Sequence, residues 1–246
     1  MQEAHDQRGV GGVGKRDEGV DVLVTVETPE ILGTGGSLRL AIDRMDNDPV
    51  LVVNGDLYHD IDLERVYHQH LRSGFDVTMA LHDHPRFNTV TVADGRVVGF
   101  DGGEGERLAF TGIHVIDPDA IERIPRQGFF HIIDLYRELA AAGRIGCCRV
   151  DGSLWRDIGT PADYLDLHRE LLAERGWLID PTARVAADAE LAGWGCIGAG
   201  ARVGAGARLC DAVVWDSAVV PAHTVCTGGI LTGNPLVDSG ARPRGT

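Results

Sequence analysis

Two short acidic motifs, far apart in the chain, contain the residue types that hold divalent cations. Asn54-Gly55-Asp56 follows the apolar run Val50–Val53, and Asp157 lies between Trp155-Arg156 and Ile158-Gly159-Thr160-Pro161. Carboxylate oxygens are the hard ligands that Mg²⁺ prefers, and open α/β folds bind ligands where their strands end. If the two loops meet, Asp56 and Asp157 would form a metal-binding and catalytic pair.

Each acidic motif also has a purely structural interpretation. Asn-Gly-Asp is common in turns. Thr160-Pro161 is typical of a helix start, where Asp157 would contribute only to the electrostatics of the first turn. The combination of the two motifs with the repeats at the end of the chain favours the functional interpretation.

A third motif is the glycine-rich stretch Glu27–Gly36, with the sequence ETPEILGTGG. Glycines allow a backbone to lie against a flat base or a phosphate, and the helix that follows would offer N–H groups to an anion. A flexible connector is the alternative. We predict a loop up to Gly36 and a helix over 37–45 with Ser37 as its cap.

Strands and helices alternate from residue 20 onward, which predicts the layout around these motifs. The apolar run Val50–Val53 has the composition of a central strand covered on both faces, and Asp62 is placed to cap the helix that follows it. The alternation predicts an α/β fold with a mainly parallel, layered (Rossmann-like) sheet.

The last quarter of the chain repeats an apolar residue at every sixth position, a period typical of a triangular coil. The pattern predicts a short left-handed parallel β-helix of hexapeptide repeats. The phase slips once, and we expect it to resume at Val213. The inward-facing positions are then Ile179, Val185, Leu191, Ile197, Val203 and Leu209, followed by Val213, Val219, Val225 and Leu231.

The predicted organisation has four parts: a disordered lead-in over 1–19, an α/β domain over 20–177, the β-helix over 178–235 and a flexible tail over 236–246. The net charge is −14, which argues against binding to nucleic acid or to an anionic membrane. No apolar run approaches the roughly 18 residues of a membrane span. The five cysteines lack zinc-ligand spacing, and we therefore expect a soluble cytoplasmic protein.

Five separated motifs, in order, resemble the sugar-1-phosphate nucleotidyltransferases, also called NDP-sugar pyrophosphorylases, in particular those of the mannose-1-phosphate guanylyltransferase type. The likeness extends over about residues 20–235 and includes the repeats at the end. The motifs are ILGTGGSL (31–38), VNGD (53–56), FTGI (110–113), FFHIIDLY (129–136) and WRDIGTP (155–161).

The resemblance implies that an NTP and a sugar 1-phosphate react to give an NDP-sugar and pyrophosphate, with Mg²⁺ as the cofactor. It also implies roles for individual residues. Asp56 and Asp157 would hold the metal, Glu27, Gly33, Gly35 and Asn54 would bind the nucleotide, and Gly112 and Asp134 would lie in the segments that bind the sugar phosphate.

The front of the chain departs from the family pattern. Members begin with a strand and a Gly-x-Gly-Thr-Arg phosphate loop, of which 12–16 (GVGKR) is a partial echo, so we expect the first βαβ unit to be missing. The stretch 9–15 also has the spacing of a Walker loop, but Arg16 replaces the Ser or Thr.

Three alternatives to a complete enzyme stay open: a non-catalytic nucleotide-sugar-binding or regulatory homologue, a truncated fragment, and a hexapeptide acyltransferase, for which only His223 is available. Self-association through the β-helix into a homo-oligomer is a further expectation.

Overall fold

A computed structural model describes residues 13–17, 20–100, 102–234 and 239–243. The five helices are α1 Gly33–Ala41, α2 Leu63–Ser73, α3 Pro118–Glu122, α4 Ile132–Ala141 and α5 Pro161–Leu172. The first ten strands are β1 Val13–Asp17, β2 Val20–Val24, β3 Val50–Val53, β4 Leu57–His59, β5 Val77–His82, β6 Asn88–Ala93, β7 Arg96–Gly99, β8 Glu106–Ile116, β9 Ile145–Arg149 and β10 Trp155–Asp157. The remaining strands are β11 Trp177–Ile179, β12 Arg184–Val185, β13 Glu190–Ile197, β14 Arg202–Val203, β15 Arg208–Val214, β16 Val219–Val220, β17 Thr224–Leu231 and β18 Ser239–Pro243.

The chain divides into two compact units. Unit 1 comprises Met1–Gly55 and Asp60–Ser153, and unit 2 comprises Asp56–His59 and Leu154–Thr246. The division therefore falls before β10 and not at the predicted residue 177. The difference arises because β4 pairs with β10 and because α5 packs on the coils that follow it, where Leu172, Trp194 and Val213 form one buried cluster.

The main sheet of unit 1 has the strand order β3-β8-β5-β9-β7-β6, and β6 also pairs with β8. Among its described strands only β5 and β9 pair in parallel, and every other pair is antiparallel. The prediction of a mainly parallel sheet is therefore wrong. The long strand β8 lies between β3 and β5 and runs opposite to both.

The core of unit 1 lies between this sheet and its helices. Met79 and Leu81 of β5 are fully buried, and Leu135 and Leu139 of α4 belong to the same cluster. Helix α2 begins at Asp62, whose carboxylate accepts the Arg65 N–H at 2.9 Å. The predicted cap is confirmed, and it lies three residues after the end of β4.

Unit 2 contains a solenoid-like region over residues 177–231. Strands β11, β13, β15 and β17 pair in parallel, and so do β12, β14 and β16. Ile179, Ile197, Val214 and Leu231 occupy equivalent positions in successive coils, which means that the second and third coils are one residue shorter than the first.

The predicted phase after the slip is wrong by one residue at Val213, Val219 and Val225, whereas Leu231 is buried in the solenoid core as predicted. Val220 is 3% exposed and points inward, whereas Val219, which we predicted to be buried, is 58% exposed. Val214 and Cys226 likewise belong to the solenoid core. Val213 is buried, but against α5 and not inside the coils. The shortened turn after Leu209 places the next inward residue five positions later, at Val214, and not four positions later, at Val213.

Both predicted ends contain ordered backbone. Within the lead-in, β1 pairs antiparallel with β2. The described residues of the Walker-like stretch 9–15 and of the phosphate-loop-like stretch 12–16 therefore belong to the strand Val13–Asp17. Within the tail, β18 pairs antiparallel with β17. Each of these two segments supplies hydrogen-bond partners to a neighbouring strand. The rest of both predicted regions lies outside the described residues, and disorder there stays a prediction. In the part of the chain described, no helix is long and apolar enough to cross a membrane.

Candidate functional site

The two predicted metal ligands lie in one short antiparallel ribbon of unit 2. Strands β4 and β10 pair so that Asp157 is opposite Leu57. The next step of the ladder is a 2.9 Å hydrogen bond from the Ile158 N–H to the Asp56 carbonyl oxygen. The register of this ribbon therefore brings Asp56 and Asp157 together.

Gly159 shows how closely the two carboxylates approach each other. A Cβ built on this glycine would lie 3.0 Å from Oδ2 of Asp56 and 3.3 Å from Oδ1 of Asp157. The same Asp157 oxygen accepts the Gly159 N–H at 3.1 Å. Asp56 is exposed and Asp157 is half-buried, so both oxygens have access to solvent and to an ion.

The helix that follows Asp157 is capped by Thr160 and not by Asp157. The Thr160 hydroxyl accepts the Asp163 N–H at 3.2 Å and donates to the Asp163 carboxylate at 2.6 Å. Pro161 occupies the first turn, as the motif predicted. Because the cap is satisfied by its own residues, the structural interpretation of this motif leaves the Asp157 side chain available for another role.

In unit 1 the glycine-rich stretch differs from its prediction. Helix α1 begins at Gly33, and Ser37 is inside it. The Ser37 hydroxyl hydrogen-bonds to the Gly33 carbonyl at 2.7 Å and contacts the Glu27 carboxylate. Glu27 also accepts the Leu32 N–H at 2.5 Å. The predicted cap at Ser37 is wrong because the helix already begins at Gly33. Glu27, ten residues before Ser37, binds the Leu32 N–H and the Ser37 hydroxyl and so stabilises this earlier start.

Two of the glycine amides at this helix start have a partner in the chain. The Phe130 carbonyl oxygen accepts N–H groups of Gly35 and Gly36 at 3.1 and 3.4 Å, and the Phe130 N–H donates to the Leu32 carbonyl at 2.8 Å. A Cβ on Gly35 would lie 2.7 Å from the Phe130 ring, and one on Gly33 the same distance from the Phe129 ring. These glycines therefore make room for the 129–130 segment.

Asn54 and Gly112, from two different predicted sites, are in direct contact in unit 1. The Asn54 N–H donates to the Gly112 carbonyl at 3.1 Å. Gly112 has a φ of +79°, and a Cβ there would lie 2.8 Å from the Asn54 side-chain nitrogen. This position requires glycine for its backbone conformation as well as for space.

Asp134 lies on the first turn of α4, where it forms a 2.9 Å ion pair with Arg137. His131 caps this helix through Nδ1, which accepts the Ile133 N–H at 3.3 Å. Asp134 is exposed. These contacts account for Asp134 structurally, and its predicted part in sugar-phosphate binding stays a prediction.

Sequence reasoning missed a buried polar pair in unit 1. Nε2 of His114 lies 2.6 Å from the Tyr136 hydroxyl. Burial lowers the pKa of His114 to about 3 and raises that of Tyr136. Nδ1 of His114 is buried with no hydrogen-bond partner. The only sequence signal is a histidine within the apolar run Ile113–Ile116, which equally describes a core residue.

The predicted residues therefore fall into separate groups. Asp56 and Asp157 converge in unit 2, whereas Glu27 with the glycines and Asn54 with Gly112 form two groups in unit 1. Among the residues that the structure describes, no three His, Cys, Asp or Glu side chains cluster as a ready-made metal site. A cation at the acidic pair would thus need ligands beyond these two carboxylates.

Comparisons with known proteins show the family of the chain. A family model described as "Nucleotidyl transferase" matches residues 3–174, more than half of the chain. Mannose-1-phosphate guanylyltransferase of Mycobacterium tuberculosis is 34% identical over 226 residues, which cover 82% of this chain and 61% of that protein.

Two further relatives share less of the sequence. D-glycero-alpha-D-manno-heptose 1-phosphate guanylyltransferase of Aneurinibacillus thermoaerophilus is 27% identical over 165 residues, or 64% of this chain and 70% of that protein. N-acetylmuramate alpha-1-phosphate uridylyltransferase of Caulobacter vibrioides is 25% identical over 159 residues, or 57% of this chain and 62% of that protein. The chain thus spans less than two thirds of the Mycobacterium and Caulobacter proteins.

Proposed function

The chain belongs to the nucleotidyl transferase family, and we propose that it transfers a nucleotidyl group from an NTP to a sugar 1-phosphate. An oxygen of the sugar phosphate attacks the α-phosphorus in line, and pyrophosphate leaves. The observation that carries this proposal is the convergence of Asp56 and Asp157 on Gly159. The names of the relatives make GTP and mannose 1-phosphate the first substrates to test.

We propose Mg²⁺ as the cofactor, held by Asp56 and Asp157. Their chemistry fits Mg²⁺, which prefers hard oxygen ligands. One oxygen of each carboxylate lies within 3.3 Å of the position that a Cβ on Gly159 would occupy. Mg²⁺ usually keeps several waters and binds substrate phosphates, so two protein ligands are enough. When bound, it would neutralise the charge that develops on the transferred phosphate.

For the substrates we keep the predicted assignments as proposals. Glu27, Gly33, Gly35 and Asn54 would serve nucleotide binding, and the segments around Gly112 and Asp134 would bind the sugar phosphate. The contact between Asn54 and Gly112 supports a link between the two groups. Glu27 would act by holding the helix start, since both of its oxygens already have partners there.

The direct test is an assay of pyrophosphate release with each NTP, a panel of sugar 1-phosphates and Mg²⁺. We expect Asp56→Asn and Asp157→Asn each to lower kcat by a factor of about 10² or more. Asp166→Asn is the matched control, because Asp166 only pairs with Arg169 on the exposed face of α5.

The assay also separates the alternatives. Nucleotide-sugar binding by calorimetry without any turnover would favour the non-catalytic homologue. Absence of both turnover and binding would overturn the proposal.

For the solenoid-like region we propose the left-handed hexapeptide form and self-association. Its parallel coils support the first part. Light scattering after size-exclusion chromatography tests the second, and a monomeric mass across protein concentrations would contradict it.

A further inference from the structure

We propose that Gly159 is a positioning residue for the acidic pair, since a side chain at this position would force both carboxylates to shift from their places. The inference rests on the proposed function and deepens it. It assigns a role to the glycine itself, for which sequence reasoning proposed none.

The space on the side-chain face of Gly159 belongs to the two aspartates. The three atoms nearest to a Cβ built there are Oδ2 of Asp56 at 3.0 Å, Oδ1 of Asp157 at 3.3 Å and Cγ of Asp56 at 3.8 Å. The first two distances are shorter than a methyl group normally keeps from its neighbours. Alanine would therefore shift the two carboxylates by a few tenths of an ångström and change their geometry toward a shared ion.

Backbone conformation does not explain the glycine. Gly159 is absent from the described glycines with a positive φ, so its φ does not require glycine. Its N–H donates to Oδ1 of Asp157 at 3.1 Å, a bond that any residue other than proline could make. The requirement is one of space at the two carboxylates.

The same glycine therefore acts on the pair in two ways. Its amide holds one Asp157 oxygen, and its missing side chain admits the Asp56 oxygen beside it. Interactions behind the metal ligands commonly change metal affinity by about 10- to 100-fold. Displacing both carboxylates at once should have an effect of this size.

The experiment measures binding of Mn²⁺, which is used in place of Mg²⁺ because it favours oxygen ligands and is paramagnetic. Free Mn²⁺ is followed by electron paramagnetic resonance with the intact chain. We expect Gly159→Ala to weaken binding by about 10-fold or more, and Gly159→Val to weaken it further. In the pyrophosphate assay the Mg²⁺ activation curve should move to higher concentration, with most of kcat regained at saturation.

Gly152→Ala is the matched control. Gly152 also lacks a positive φ, and a Cβ there would meet no atom within 4 Å. This variant should bind Mn²⁺ like the wild type. Thermal unfolding of all variants checks that the fold is retained.

Two outcomes would overturn the inference alone. One is Mn²⁺ affinity of Gly159→Ala within twofold of the wild type, and the other is a loss of affinity that appears only together with a loss of near-UV circular dichroism. In both cases the proposed function stands if Asp157→Asn abolishes Mn²⁺ binding. Absence of Mn²⁺ binding by the wild-type chain would overturn the inference together with the proposed metal site.

Discussion

Glycines have different roles in the two units, although their motifs look alike in the sequence. In unit 1 the space beside Gly33 and Gly35 is filled by the rings of Phe129 and Phe130. In unit 2 the space beside Gly159 is filled by carboxylate oxygens. The first arrangement satisfies packing, and the second leaves charged atoms at a place where a ligand could reach them.

The comparison shows that glycine content is a poor guide to a binding site. The Gly33–Gly36 stretch has the higher glycine density and was the more conspicuous motif, yet the Gly35 and Gly36 amides bind the Phe130 carbonyl and the rings of Phe129 and Phe130 lie against Gly33 and Gly35. A single glycine between two acidic strand ends is less conspicuous and better placed for chemistry. The atoms that lie where the glycine side chain would be indicate whether the glycine serves packing or a binding site.

The largest expected effect is that acid lowers the stability of unit 1 more than that of unit 2. His114 is buried in unit 1 with a pKa of about 3, against 6.5 for the ordinary side chain. Between these values the unfolded chain binds a proton that the folded chain does not. The pH therefore does not change this part of the free energy of unfolding above pH 6.5. As the pH falls from 6.5 toward 3, the free energy of unfolding decreases by about 1 kcal/mol for each pH unit.

Hydrogen exchange of β5 and β8 peptides between pH 6.5 and 4, corrected for intrinsic rates, measures the stability of unit 1. Fluorescence follows unit 2, because all four tryptophans, Trp155, Trp177, Trp194 and Trp215, lie there. His114→Gln should remove this part of the pH dependence. An unchanged slope in that variant would contradict the prediction.

An intermediate effect is expected from Gly35→Ala. The new methyl group would lie 2.7 Å from the Phe130 ring and 3.0 Å from the Phe130 carbonyl oxygen. Overpacking of this kind costs about 2 kcal/mol. Urea unfolding should show this loss for Gly35→Ala, whereas Gly159→Ala should unfold within about 0.5 kcal/mol of the wild type.

A double-mutant cycle with Phe130→Ala sharpens the test. If the ring is the obstacle, Gly35→Ala should cost less in the Phe130→Ala background. Equal losses of stability in both backgrounds would show that the Phe130 ring is not what requires glycine at position 35.

The smallest expected effect comes from Glu27→Gln. The carboxylate accepts hydrogen bonds from Leu32 and Ser37, and replacing it with an amide removes the charge and one acceptor at a cost of about 1 kcal/mol. We expect lower stability of α1 by hydrogen exchange and a modest rise in KM for the NTP. A large change in the choice of base, with stability unchanged, would instead make Glu27 a direct contact to the nucleotide.

The sequence predicted best what local chemistry determines. Asp62 and the Thr160-Pro161 pair were identified as helix starts because their caps are formed by residues within one turn. The proximity of Asp56 and Asp157 was anticipated from motif chemistry, but the β4–β10 ribbon that produces it was not. Antiparallel pairing of two three-residue strands so far apart has no periodic signal.

The errors have a common physical cause in long-range contacts. Helix α1 begins four residues early because Glu27 and Phe130 stabilise its first turn. The position of β8 depends on its partners on both sides and not on its own composition. The solenoid phase failed because Val219 and Val220 are chemically equivalent, and only the shortened turn decides which one is buried.

The path of the chain also has a consequence for biosynthesis. Asp56–His59 belongs to unit 2, although the residues on both sides of it in sequence belong to unit 1. Its partner strand β10 leaves the ribosome only after nearly all of unit 1 has been made. The nascent chain must therefore carry the unpaired β4 segment until late in translation. No single cut in the gene yields a fragment that keeps unit 2 whole while discarding unit 1.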